Sequence, residues 1–200
     1  ASRRSLPLWV LVGAVLAVPM LAGHPQQATY LYYLVGAFGL LAVLRSEGPE
    51  AQETTRRIAK TYLSGVGGLA LAIAISVGLA SAQLLPSGEL VSFSSRAQEL
   101  NYEFTGIGFE LKEAFGFLFP NFLGGKPMFI GTIPLLLAAA SLRRPRVKGA
   151  LFWAVAAAVA YLLSFGGNLP VYKAAHCCLP GFAWFQDQER AIFIFSLAGS

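Results

Sequence analysis

Four tracts of this chain carry no charged residue: Ser5 to Leu44, Thr61 to Gly88, Pro127 to Leu142 and Gly149 to Tyr172. A helix needs about 20 mostly apolar residues to cross a bilayer. Each tract therefore reads as at least one span, and the first as two, because His24, Pro25, Gln26 and Gln27 interrupt it. The pattern predicts spans over roughly 6–23, 30–44, 62–85, 128–142 and 150–165, with a sixth opening at Ala191 and cut short at Ser200. The expected fold class is all-α: one polytopic transmembrane bundle over residues 1–200, with about five full spans and a truncated sixth. The short final tract and the absence of a starting methionine read as a piece of a longer protein.

The longest mixed stretch, Gln83 to Gly131, breaks this rhythm with charges, prolines, aromatics and glycines. Pro86 predicts the end of the third helix, followed by a turn and a short extended piece over 87–95. Leu100, Phe104, Ile107, Leu111, Phe115 and Leu118 then recur at helical spacing, which predicts an amphipathic interfacial helix over 97–119, weakened in its middle by Gly106 and Gly108. Pro120, Asn121, Gly124, Gly125 and Pro127 make a tight turn back towards the bilayer. Residues 84–127 thus form one loop segment and 166–190 a second.

Composition agrees with a membrane protein. Apolar residues make up 56% of the chain, charged residues 12%, and the mean hydropathy is +0.60, whereas soluble domains are about 25% charged. The net charge of +5 is unevenly placed. Basic clusters at 3–4, at 45–60 and at 143–148 hold ten of the fifteen basic residues and three of the ten acids. They are separated by even numbers of spans, which follows the positive-inside rule. The N-terminal side is then cytoplasmic, both loop segments face outwards, and the basic charge meets lipid headgroups rather than nucleic acid. No cleavage site marks the first tract as a signal peptide. With no charged residue or histidine at the centre of any span, an ion-coupled transporter is disfavoured.

Candidate chemistry lies in the outer segments. The Arg190 guanidinium is suited to gripping a phosphate, and Arg96, Lys112 and Lys126 are placed to share that role; equally, Asp187, Glu189 and Arg190 after Phe182, Trp184 and Phe185 read as a charged cap on an aromatic belt. Glu89, near a span end, could orient a sugar hydroxyl or act as a base, or simply close a helix. His176, Cys177 and Cys178 carry soft metal donors, but three adjacent residues do not wrap one tetrahedral ion. Adjacent cysteines also pair poorly with each other, so small residues packed near the interface are the simpler reading.

From Gln83 to Ala198 the chain resembles the YfhO-like bacterial membrane proteins, of the polytopic class of glycosyltransferases that use lipid-linked sugar donors. The resemblance is carried by QLLPSGELVSFSSR, by FPNFLGG followed by FIGTIPLLLAAASL, by FGGNLPVY, and by LPGFAWFQDQER leading into an apolar run. It implies transfer of a sugar from a polyprenyl-phosphate carrier to a cell-envelope acceptor at the outer face of the bacterial cytoplasmic membrane. On that basis Arg96 and Arg190 would hold the donor phosphate, Glu89 would bind sugar or acceptor, and Asn121 would hold the turn. In this class an acid in the first outer loop activates the acceptor or helps to bind a divalent metal. HPQQ has no acid, so no metal or other cofactor is expected within this chain, and Gln186 stands where the resemblance leads one to expect an arginine. The alternative is a non-catalytic subunit that packs against other membrane subunits, its outer segment serving as a docking surface.

Overall fold

The computed structural model describes residues 5–45, 55–94, 101–119, 129–142 and 149–199. Among them every regular element is helical. The chain divides into two compact units, residues 1–97 and 98–200.

The first unit holds α1 (Ser5–Leu21), α2 (Pro25–Arg45) and α3 (Thr55–Ser92). Gly23, in the left-handed region at φ 80°, closes α1, and Pro25 opens α2 at once, where its missing N–H costs nothing. The close packing is made by small residues. Gly68, Ala72, Ser76 and Ala80 of α3 are all buried at four-residue spacing, and α1 lies against α3. A Cβ at Gly13 would come within 2.7 Å of the Ala72 carbonyl oxygen and 2.9 Å of the Ile75 Cβ. Approach this close lets two helix backbones touch, as in apolar bundles generally. The Tyr32 hydroxyl adds a 2.7 Å hydrogen bond to the Ser76 hydroxyl, tying α2 to α3. Gly36 of α2 is a different case: it has nothing within 4 Å of a built Cβ.

These contacts define a comparison. Gly13→Ala should destabilise the first unit by about 1–3 kcal/mol, because the added methyl meets backbone that cannot swing aside. Gly36→Ala should change stability by less than about 0.5 kcal/mol and favour the helix if anything. Thermal unfolding of the purified chain in detergent separates the two, and equal effects would contradict this packing.

Two sequence expectations change here. Pro86 does not end α3, which continues to Ser92. A proline removes one ladder bond and strains one turn; here, helix formed on both sides of it outweighs that loss. The exit lies further on, where the Ser92 and Ser94 hydroxyls bond back to the Glu89 and Val91 carbonyls at 2.6 and 2.8 Å. The second change concerns spans. Leu63–Ser92 of α3 is the one described stretch both long and apolar enough to cross a membrane, and little of it is covered by the rest of the chain. The apolar helices α1, α5 (Thr132–Leu142) and α6 (Ala150–Ser164) are shorter; α6, at 15 residues, reaches about 22 Å at 1.5 Å per residue.

In the second unit, α4 is a single turn (Tyr102–Thr105), followed by a 3-10 turn (Leu111–Phe117), α5, α6, α7 (Pro170–Cys178), a 3-10 turn (Gln188–Ala191) and α8 (Ile192–Gly199). The expected helix over 97–119 is broken: residues 107–110 run without helix. Gly106 and Gly108 are the reason. With no side chains at these two positions, the backbone of 106–108 presses onto that of Phe165, Gly166 and Gly167: a Cβ at Gly108 would overlap Phe165 and Gly166, and one at Gly166 would overlap the Gly106 carbonyl oxygen. The freed backbone groups find tertiary partners instead: Phe109 N–H donates to Ser164 O at 3.0 Å, Gly167 N–H to Gly106 O at 2.7 Å, and Gln188 N–H to Ile107 O at 2.6 Å. Beneath this seam Phe109 and Phe165 form a buried pair with Ala114, Phe117, Tyr161, Leu169 and Ile192 against them.

Candidate functional site

The glycine seam brings three polar segments of the second unit together, 101–110, 164–178 and 182–190. Their junction is Gln188, whose side chain is fully buried. Its amide nitrogen lies 2.8 Å from Phe185 O, 3.1 Å from Thr105 O and 3.4 Å from the Tyr172 hydroxyl. An amide has two hydrogens, so the two carbonyls take the stronger bonds and the phenol the weakest. Tyr172 in turn donates to Phe182 O at 3.2 Å. Burial raises the Tyr172 phenol above its ordinary pKa; a hydrogen bond with Thr105 opposes the shift and neighbouring Tyr102 adds to it. Asn168 completes the arrangement by donating to Phe109 O at 2.7 Å. Several backbone groups freed from helical bonding, among them Gly106 O, Ile107 O, Phe109 N–H and Phe109 O, are thereby met by a side chain or by another stretch of loop, as burial requires.

One edge of this junction is aromatic. The rings of Tyr102, Tyr172 and His176 pack mutually, with centroids 5.5 Å apart for the tyrosine pair and 5.3 and 5.7 Å from the imidazole to Tyr102 and Tyr172. The His176 Nε2 is buried without a hydrogen-bond partner, and so is the Gln186 Oε1. Between Gln186 and Gln188 stands Asp187, among the described residues the one non-glycine with positive φ, at φ 60° and ψ 61°. Its carboxylate accepts from the half-exposed Arg190 guanidinium at 3.3 Å. That leaves most of the five guanidinium donors for another acceptor.

The second unit also holds an apolar cleft. The cleft, about 620 Å³, is walled by Leu135, Ala138 and Ala139 of α5, by Trp153, Ala154, Ala157 and Tyr161 of α6, and by Phe195 and Ala198 of α8. Small alanines on facing helices keep it open, and Tyr161 is held by donating to Ala114 O.

Of the residues expected to act, Arg190 lies half-exposed in the 3-10 turn Gln188–Ala191, paired with Asp187. Glu89 lies exposed within α3 of the first unit, on a helix rather than in the turn expected for it. Arg96 and Asn121 lie outside the described residues, as does Lys126. Lys112 pairs with Glu110 at 2.6 Å, and the bond and charge of Glu110 raise its pKa. Glu113 accepts from the Glu110 N–H at 2.8 Å and caps the 3-10 turn. These acids therefore close a loop locally. Cys177 and Cys178 are free and exposed at the end of α7. Among the described residues no group of three His, Cys, Asp or Glu side chains could hold a metal ion, and the acids here do not fit one.

Gln188, Thr105 and Tyr172 were missed from the sequence. The available signal was the pair of glycine doublets, GIGF at 106–109 and FGGN at 165–168, which mark two backbones in contact. No protein-family model, curated protein or solved structure matches this chain, so a functional reading stands on the residues themselves.

Proposed function

We propose that this chain is part of a membrane glycosyltransferase that moves a sugar from a polyprenyl-phosphate carrier to an acceptor at the outer face of the bacterial cytoplasmic membrane. The observation that carries the proposal is that the second unit holds both an apolar cleft and the half-exposed Arg190 guanidinium, which has donors left beyond its bond to Asp187. A hydrocarbon-lined cleft and an available guanidinium in one unit suit an amphiphile with an anionic head and a prenyl tail. The cleft volume falls within the roughly 300–1,000 Å³ of small-molecule sites. In this reading α1, α2, α3, α5 and α6 are the spans, α8 opens a sixth, and segments 84–127 and 166–190 face outwards. The uncovered apolar surface of α3, including Leu63, Val66, Ile73, Val77, Leu79 and Leu85, supports a lipid environment, because soluble monomers rarely expose such contiguous patches. A metal held by residues elsewhere in a full enzyme is compatible with this arrangement, and no step here depends on one.

Binding of farnesyl phosphate to the detergent-solubilised chain, followed by Trp153 fluorescence, tests the proposal. Arg190→Ala should weaken it by about 10–100-fold, since a hydrogen bond to a charged group contributes about 1.5–3 kcal/mol and 1.4 kcal/mol is tenfold. Arg190→Lys should recover part of the loss, and Ala157→Leu should weaken binding by filling the cleft. Unchanged affinity in both Arg190→Ala and Ala157→Leu would sink the assignment.

A second reading, a non-catalytic subunit of a membrane complex, is favoured by Gly67 and Gly78 on α3, which have open space around them and could admit another helix. A stoichiometric partner retained through purification, together with failure to bind farnesyl phosphate, would support it.

A further inference from the structure

The cleft of the second unit has a shape as well as a volume. Its wall on α6 is made by Ala150, Ala154, Ala157, Ala158 and Tyr161, which share one face of the helix at successive turns. Ala150 and Tyr161 are eleven residues apart, about 16 Å of helical rise. Spread over that length, 620 Å³ makes a groove with a mean width of about 7 Å. A helix with its side chains, about 10–12 Å across, is too wide to seat there. A straight hydrocarbon chain is too thin: carbons pack at about 3.5–4.0 Å, so a chain touching one wall leaves a gap at the other. None of the described lining residues is charged, and their two hydroxyls are already used, Ser141 donating to Ala138 O at 2.7 Å and Tyr161 to Ala114 O. The complement of such a lining is uncharged hydrocarbon.

We propose that this groove selects a methyl-branched, isoprenoid chain over a straight one, seating its branches between successive turns of α6. This rests on the reading of the second unit as a prenyl-phosphate site, and it adds the basis on which the tail is chosen. Spacing carries the argument. In an isoprenoid chain a methyl branch recurs every four bonds, about 5 Å at about 1.3 Å of advance per C–C bond. The turns of an α-helix recur at about 5.4 Å. With alanine at 150, 154, 157 and 158, each turn of α6 offers small methyls and leaves hollows that longer side chains would fill. Over three repeats the two periods drift apart by about 1 Å, so a chain of farnesyl length stays in register along the groove. The rings of Phe117, Tyr161 and Phe195 gather at the Tyr161 end, their centroids 5.4 to 5.8 Å apart.

The test compares farnesyl phosphate with pentadecyl phosphate, its straight-chain match in carbon number, by Trp153 fluorescence on the full chain in detergent. Wild type should prefer the farnesyl probe by at least about tenfold, since each methyl-sized group kept buried is worth about fourfold in affinity. Farnesol and pentadecanol should show the same ratio at lower affinity, because the groove reads the tail alone. Ala154→Val fills one hollow and should cut the ratio by about fourfold, whereas Val155→Ala, on the exposed face of α6, should leave it unchanged. Equal binding of the branched and straight phosphates to wild type, or a ratio untouched by Ala154→Val, would overturn the selection while the prenyl-phosphate reading stands. Displacement of farnesyl phosphate by dioleoyl phosphatidate at equal or lower concentration would make two acyl chains the occupant and overturn it as well. A ratio present in the alcohols without tighter binding of the phosphates would support the groove and remove the phosphate. If no probe binds wild type, the selection and the reading it rests on fall together.

Discussion

A valine at Gly166 should cost the second unit about 3–5 kcal/mol and abolish its cooperative unfolding transition at ordinary temperatures. Two effects combine. Gly166 sits at φ 53°, where a β-branched residue is strained by about 1–3 kcal/mol. Its added Cβ would also overlap the Gly106 carbonyl oxygen and lie 3.0 and 3.1 Å from the carbonyl carbons of Gly106 and Ile107, and overpacking of this kind adds about 1–3 kcal/mol. The neighbour supplies the control. A Cβ on Gly167 comes no closer than 3.3 Å to any atom, and its φ lies outside the left-handed region. Gly167→Ala should therefore change stability by less than about 1 kcal/mol. Chemical denaturation followed by Trp153 and Trp184 fluorescence measures both, and similar losses from the two substitutions would disprove the backbone seam.

The contrast between these adjacent glycines shows what the sequence could convey. Apolar runs identify helices well when length and polarity agree: the stretches expected at 6–23, 30–44 and 150–165 largely coincide with α1, α2 and α6. The glycines at 106 and 108 were visible too, but as weak points of a helix. Their actual role depends on Phe165, Gly166 and Gly167, almost sixty residues away, and no local period reports a contact of that separation. Pro86 misled in the opposite direction. Its local cost is real, yet the helix on either side carries it through. Arg190 could be picked out as a candidate because guanidinium chemistry is carried by the residue itself. Gln188 could not, because an uncharged amide between Asp187 and Glu189 looks like surface until its burial is known. The apolar cleft was hidden for a related reason: alanines read as generic helix residues, and only the pairing of α5, α6 and α8 leaves space between them.

Gln188→Leu should destabilise the second unit by about 2–4 kcal/mol. Leucine leaves the Phe185 and Thr105 carbonyls without the donor that now reaches them, and each unpaired buried group costs about 1–3 kcal/mol. Gln188→Glu is the sharper variant because its effect has a sign in pH. A carboxylate at the same place would turn its oxygens towards two carbonyls, so burial and repulsion raise its folded pKa above the unfolded value of about 4.3. Protonated, it recovers a donor. Its stability should thus be greatest in acid, below the unfolded pKa, and should fall as pH rises through the folded one, where the unfolded state binds fewer protons than the folded state. Wild type has no titrating group at this position, so the difference in Tm between wild type and Gln188→Glu should widen from pH 4 towards pH 8. A pH-independent difference would mean that the side chain faces water. The same variant separates positioning from contact. Gln188 fixes the segment that carries Asp187 and Arg190 while its own amide is occupied by backbone. Farnesyl phosphate affinity should therefore recover in acid together with Tm, whereas the loss in Arg190→Ala should persist with the fold intact.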